Sequence, residues 1–241
     1  MAGRLYGVGL GPGDPELVTV KAARLMASVP VIAYFAKAGR RGHARAIADR
    51  YIPESADELP LYYPMTTELP FDHPEYLSTL ARFYELSTSS LAAQLEAGRD
   101  VALLAEGDPL FYGSFMHLFI RLRERFVCEI VPGVTGMAGC SAAAGAPMTW
   151  GDDVLTVLPG TLPLADLIAR LRGCEAAVVM KLGRHFAKVR AAFEETGLID
   201  RALYVERGTM AGEQVTPLAE KRDGTAPYFS LILLPGQGRR P

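Results

Sequence analysis

The chain has 241 residues, 49% of them hydrophobic and 22% charged, with 25 Lys and Arg against 27 Asp and Glu. That length suits one large or two ordinary α/β domains, and the composition excludes a disordered or fibrous chain. A net charge of −2 argues against sequence-independent nucleic-acid binding, which needs many basic phosphate contacts, but leaves room for a local basic pocket.

In chain order, residues 5–8 read as a first strand. A Gly/Pro loop follows, in which Asp14 and Thr19 are both placed to cap helices and Pro15 suits a first turn. Residues 19–28 read as a helix and 29–34 as a second strand, with a helix over 45–52. Residues 53–74 carry five prolines and are expected to be irregular or to hold one brief strand. A long helix is predicted over 76–97, closed by Gly98 as a C-terminal cap. Val101–Ala105 is a continuous apolar run that suits a strand buried on both faces. A helix over 117–125, a strand over 129–131 and a small-residue helix over 137–144 complete the first half.

Strand, loop and helix recurring in this way predict a parallel sheet covered on both sides. The pattern restarts after residue 150, with strands at 154–158, 176–181, 202–206 and 228–234 and helices at 164–172 and 184–196. The division is therefore placed between a domain of residues 1–149 and one of residues 150–241. A turn signal before the last strand predicts an antiparallel element in the second sheet. No run approaches the roughly 20 apolar residues of a spanning helix, and glycines break the first residues before a secretory leader could form. Cys128, Cys140 and Cys174 lack metal-site spacing, as do the four histidines, so no metal and no disulfide are expected.

Open parallel sheets bind ligands where strands end. The first such loop is GVGLGPGDPEL, residues 7–17. A dinucleotide fingerprint fails there, because its third glycine position is Pro12 in one register and Asp14 in the other, and the Gly-Lys-Ser/Thr of a P-loop is absent. Four glycines and two prolines leave backbone open to close approach, and Asp14 suits a cationic or hydroxyl-rich ligand over a phosphate. The second loop, residues 103–114, carries Glu106 and Asp108 around Gly107, a pair that suits acid/base work, a cation, ribose hydroxyls or simple helix capping. The third, VPGVTG at 131–136, ends on Thr135 and Gly136.

Taken together, GLGPGDPEL, EGDPLFYGS, VPGVTG and VERGTM at 205–210 resemble the tetrapyrrole (corrin/porphyrin) methylase family, in family order and over essentially the whole chain. The resemblance implies two α/β domains of the class III methyltransferase type, the first sheet mainly parallel and the second mixed, with S-adenosylmethionine in the cleft between them. Carried over position by position, it implies that Pro12, Glu106, Gly107, Asp108, Phe111, Thr135, Gly136, Met180, Leu182 and Gly208 line the cofactor. EGDP, VPVIAYF, the GHARAIA stretch and VVMKLGR look most like the members that methylate C-20 of precorrin-2 in cobalamin synthesis. Members acting on uroporphyrinogen III carry Asp after the second strand's Tyr, where this chain has Phe35. The resemblance implies a homodimer, while the unpaired cysteines, the near-neutral charge and the lack of a spanning run lead to the expectation of a cytoplasmic protein with no nucleic-acid or membrane partner. Cobalt-precorrin-2 or uroporphyrinogen III as acceptor, a non-catalytic nucleotide-binding module and a nicotinamide oxidoreductase are the alternatives.

A sulfonium carries an already activated methyl group, so the chain must align donor and acceptor more than create a nucleophile. Glu106, Tyr34 or water are candidates to take the proton released from the acceptor carbon. A polycarboxylate acceptor calls for local positive charge. The richest basic stretch is residues 37–45, where Arg40, Arg41, His43 and Arg45 are expected to bind substrate carboxylates, Arg being suited to bidentate contacts.

Overall fold

A computed structural model describes residues 1–65 and 73–238. The chain forms two compact units, Met1–Thr135 and Gly136–Pro241.

The first unit is built on five parallel strands: β1 (Leu5–Gly9), β2 (Val31–Lys37), β3 (Asp57–Tyr63), β4 (Val101–Ala105) and β5 (Cys128–Val131). Their spatial order is β3-β2-β4-β1-β5. β4 sits at the centre and all five of its residues are buried. Because side chains alternate along a strand, Val101 and Leu103 pack on one side of the sheet and Ala102 and Leu104 on the other. The Val101/Leu103 side is covered by α3 (Pro74–Glu96) and α4 (Phe115–Leu122), the other by α1 (Val20–Met26) and the short α2 (His43–Ile47). That explains an apolar run with no polar alternation.

Local signals set the element ends. The Thr19 hydroxyl accepts from the Ala22 amide and caps α1, while Asp14 accepts from the Glu16 amide and starts a 3₁₀ turn at Pro15. α3 ends on Gly98 at φ +78°. The Gly98 amide donates to the Leu95 carbonyl and the Arg99 amide to that of Gln94, the paired closure that a left-handed glycine permits. The proline-rich stretch holds a full seven-residue strand, β3, with Pro60 in it. β3 lies at the edge of the sheet, where a residue without an N–H is tolerated.

The second unit opens with α5 (Gly136–Ala143) and contains β6 (Leu155–Pro159), α6 (Leu164–Leu171), β7 (Ala176–Met180), α7 (Phe186–Glu195), β8 (Leu203–Glu206), β9 (Gln214–Pro217) and β10 (Ser230–Leu234). Its sheet runs β6-β7-β10-β8-β9. β6 and β7 are parallel, and β10 enters antiparallel between β7 and β8, so the sheet is mixed. α6 and α7 cover the face carrying Val179, Tyr204 and Ile232, and α5 covers the face carrying Val178, Val205 and Leu233. That packing groups α5 and the segment up to residue 149 with the second unit, ahead of the division expected at 149/150. Met137 and Cys140 supply apolar cover to the face of the second sheet that α6 and α7 leave uncovered. β9 was not foreseen: it is a four-residue edge strand with no buried position, so it carries no apolar run.

Candidate functional site

In the first unit the loops after β1, β4 and β5 converge, since these strands are neighbours and all end at the same edge. Connections from β1 and β4 leave toward opposite sides of the sheet, and a crevice opens at such a switch point. Gly11 and Gly107 form an antiparallel bridge there, with the Gly107 amide donating to the Gly11 carbonyl at 2.7 Å and the reverse bond at 3.3 Å. A Cβ on Gly9 would lie 2.5 Å from the Gly133 nitrogen, and one on Gly133 would lie 2.1 Å from the Gly107 oxygen. Three loops are thus pressed together backbone to backbone, which only glycine permits.

Asp108 locks the arrangement. Its Oδ2 accepts from the Gly133 amide at 3.1 Å, joining the β4 and β5 loops, and its Oδ1 accepts from the Leu110 amide at 2.9 Å. Pro12 is buried beside Gly11, while Phe111 is half-buried with its ring 4.8 Å from that of Tyr112. Glu106, expected from sequence to line the cofactor and to take the acceptor's proton, has its Oε1 engaged by the fold, accepting from the Ala44 amide of α2 at 3.1 Å. Thr135, half-buried, closes the first unit and Gly136 begins α5.

In the second unit, Met180 ends β7 and Leu182 is fully buried two residues on. Gly208 follows β8, and a Cβ there would meet the Cys140 sulfur at 2.7 Å and its Cα at 2.9 Å, so glycine lets this loop lie against α5. Burial pushes the Cys140 thiol up to about 11, leaving it uncharged.

Among the described residues, the non-glycine positions with left-handed φ are Tyr112 (+54°), Lys181 (+58°), Arg207 (+52°) and Thr209 (+69°). All four sit in loops after β4, β7 or β8, the first singled out by its carboxylates and the other two only by the family resemblance. Such conformations cost of order 1–3 kcal/mol each and cluster at ligand-binding sites. Nothing in the residue types announces them, and for the β-branched Thr209 sequence would argue the opposite.

The basic stretch divides by burial. Arg40, Arg41 and His43 are exposed, whereas Arg45 is buried. The Arg45 Nη1 donates to Asp49 at 2.9 Å and its Nη2 to Glu58 at 2.6 Å, and Arg41 also pairs with Asp49. With both terminal nitrogens taken by carboxylates, Arg45 serves the fold and is set aside as a substrate ligand. Tyr34 belongs to the same network: its hydroxyl donates to Glu58 Oε2 at 2.7 Å, and burial together with Glu58 raises its pKa to about 12. A phenol already donating to a carboxylate is unsuited to accept a proton, so Tyr34 is set aside as a base. Sequence reasoning missed Glu58, the hub of this network, because a lone acid inside an edge strand reads as solvated.

These loops suit a sulfonium nucleoside. Apolar Pro12 and Phe111 and the carboxylate of Asp108 lie in these loops, and residues 7–17 and 103–114 contain no Lys or Arg to draw an anion.

Comparison with known proteins agrees. A model of the tetrapyrrole (corrin/porphyrin) methylases matches residues 4–221. The chain is 55% identical over 239 residues to a precorrin-2 C(20)-methyltransferase of a Sinorhizobium species, covering 99% of this chain and 98% of that one. It is 32% identical to the cobalt-precorrin-2 C(20)-methyltransferase of Salmonella typhimurium, covering 97% of each. A solved uroporphyrin-III C-methyl transferase from Thermus thermophilus, complexed with S-adenyl homocysteine, superposes with a TM-score of 0.67 at 25% identity, covering 98% of both chains. The glycine-knotted strand ends thus belong to a member of the tetrapyrrole (corrin/porphyrin) methylase family, an S-adenosylmethionine-dependent C-methyltransferase.

Proposed function

We propose that this chain methylates C-20 of precorrin-2, the metal-free macrocycle, in cobalamin biosynthesis. The likeness to the Sinorhizobium enzyme, 55% over almost both whole chains against 32% for the cobalt-precorrin-2 enzyme, favours the metal-free acceptor. Phe35 argues against uroporphyrinogen III. Where the resemblance places Asp in enzymes acting on that substrate, this chain has a ring stacked on Tyr63 at 5.4 Å and beside Phe83 at 6.2 Å.

The observation that carries the reading is the backbone knot of Gly9, Gly11, Gly107 and Gly133, held by Asp108. S-adenosylmethionine, when bound, supplies the activated methyl group. The chain's own work is to hold and orient. Pro12, Gly107, Asp108, Phe111, Thr135 and Gly136 of the first unit, and Met180, Leu182 and Gly208 of the second, are assigned to the cofactor. A preorganised backbone loses little entropy on binding, which leaves binding energy for alignment. Exposed Arg40, with Arg41 and His43, is assigned to acceptor carboxylates. The homodimer that the resemblance implies belongs to the same proposal and is tested by light scattering of the purified protein, and the expected cytoplasmic setting by cell fractionation.

The deciding experiment incubates the protein with precorrin-2 and methyl-labelled S-adenosylmethionine and locates the label by NMR. Label at C-20 is expected; turnover only with the cobalt macrocycle or with uroporphyrinogen III would reassign the acceptor. Arg40→Ala should raise the acceptor KM about tenfold, the loss of one charge-assisted bond of roughly 1.5 kcal/mol, with the affinity for S-adenosylhomocysteine unchanged by calorimetry.

A further inference from the structure

α2 begins without a cap of its own. Its N-cap position is Gly42, which offers no side-chain acceptor, and a Cβ there would lie 2.2 Å from the Phe35 carbonyl oxygen. Ser, Thr, Asp and Asn, the usual N-cap residues, are therefore sterically excluded. The first amides of a helix need acceptors from elsewhere. The Ala44 amide finds one 62 positions along the chain, donating to Glu106 Oε1 at 3.1 Å.

Glu106 also stands at the head of the tightly fastened loop after β4. Gly107, next in the chain, bridges to Gly11, and Asp108 after it holds the Gly133 amide. Three consecutive residues thus fasten α2, the β1 loop and the β5 loop. Immediately before α2 come exposed Arg40 and Arg41. The far side of α2 is anchored separately, through Arg45 on Glu58 and Asp49.

We propose that Glu106 is a positioning residue, whose carboxylate caps α2 and so sets the basic segment 37–45 in register with the cofactor loops. It moves no proton. Its effect on the reaction passes through the placement of Arg40, Arg41 and His43, and the inference rests on the reading above that this segment holds the acceptor's carboxylates.

Gln keeps the Oε1 acceptor and Ala removes it, so Glu106→Gln and Glu106→Ala separate capping from proton transfer. Amide hydrogen exchange over residues 42–47, calorimetric affinity for S-adenosylhomocysteine, and kcat and KM for precorrin-2 between pH 6 and 9 are measured on each. Glu106→Ala should speed exchange at residue 44 and raise the acceptor KM, each by tenfold or more, with cofactor affinity held within twofold. Glu106→Gln should return all three to within about threefold of the parent, with the same pH profile. Equal loss of kcat in both variants, with a limb of the pH profile gone, would make Glu106 the base and overturn the proposal. Weakened cofactor binding in both would make it a cofactor ligand, and unchanged exchange at residue 44 in Glu106→Ala would remove the cap; either result also overturns it. Exchange is read without acceptor. A parent protein that protects residue 44 yet leaves precorrin-2 unmethylated therefore marks failure of the substrate assignment, not of the cap.

Discussion

Gly133 and Arg45 show how much a single position decides here. A methyl group on Gly133 has nowhere to go, with the Gly107 oxygen 2.1 Å and the Gly9 Cα 2.9 Å from where it would stand. Both neighbours are backbone and neither can rotate aside. Gly133→Ala should therefore part the β4 and β5 loops at an overpacking cost of about 1–3 kcal/mol, and weaken S-adenosylhomocysteine roughly 5- to 150-fold in calorimetry. Undiminished affinity would show that the knot is not the cofactor's seat. Arg45→Ala removes the cation that Glu58 faces. A fully buried pair broken on one side costs about 3–5 kcal/mol, and because Glu58 keeps 37% of its side chain in water about 2–4 kcal/mol is expected, read as a lower urea midpoint. In sequence Arg40 and Arg45 look alike; only the second is enclosed, because α2 turns it onto β3.

Elements were the most legible level. Val101–Ala105 was readable as a two-faced strand, and β4 is that strand. Leu103 is fully buried against Phe115 and Leu118 of α4 and Leu91 of α3 within one core, so Leu103→Ala should lose about 2–5 kcal/mol of stability by denaturant titration. An effect below 1 kcal/mol would mean that β4 is not central. Elements that sequence blurred share one trait, a lack of burial contrast. β9 has no buried residue, and β3 was obscured by prolines that an edge strand accepts. α2 is five residues long and capped from another loop, so the helix expected over 45–52 resolves into α2 and a 3₁₀ turn at Asp49–Tyr51.

At the scale of the whole molecule, the near-balance of charge hides a directional dependence on pH. Glu58 is held below its ordinary 4.5 by its bond to Arg45, with Tyr34 adding to it. Asp49 is lowered by Arg45 and Arg41, Glu129 by Lys21, and Asp223 by Lys221. A carboxylate whose pKa is lower folded than unfolded stabilises the fold above its unfolded value, and that contribution fades as pH falls through the folded one. Thermal stability should therefore dip slightly as pH falls through 6.5, where burial and the neighbouring Lys188 hold the His185 imidazole below its ordinary value, and decline mainly below the ordinary carboxylate values of 3.8 and 4.5. Glu58→Gln should lower the plateau and make the decline shallower in a melting series. A larger loss near pH 6.5 than below 4.5 would show that His185, not the paired carboxylates, dominates the pH dependence.

By itself the sequence determined the alternation of strands and helices, the placing of glycines where strands end, and the mismatch with a phosphate site. Those features repeat within a few residues and follow from side-chain period and backbone freedom. The motif order then pointed to the methylase family that the comparisons establish. Tertiary structure alone decided which arginine is spent on the fold, that Tyr34 donates to Glu58, that α5 packs with the second sheet, and that Glu106 caps a helix 62 residues away. Those outcomes depend on which strands become neighbours and in what register, because a hydrogen bond between distant residues exists only once the sheet has brought their loops to one edge.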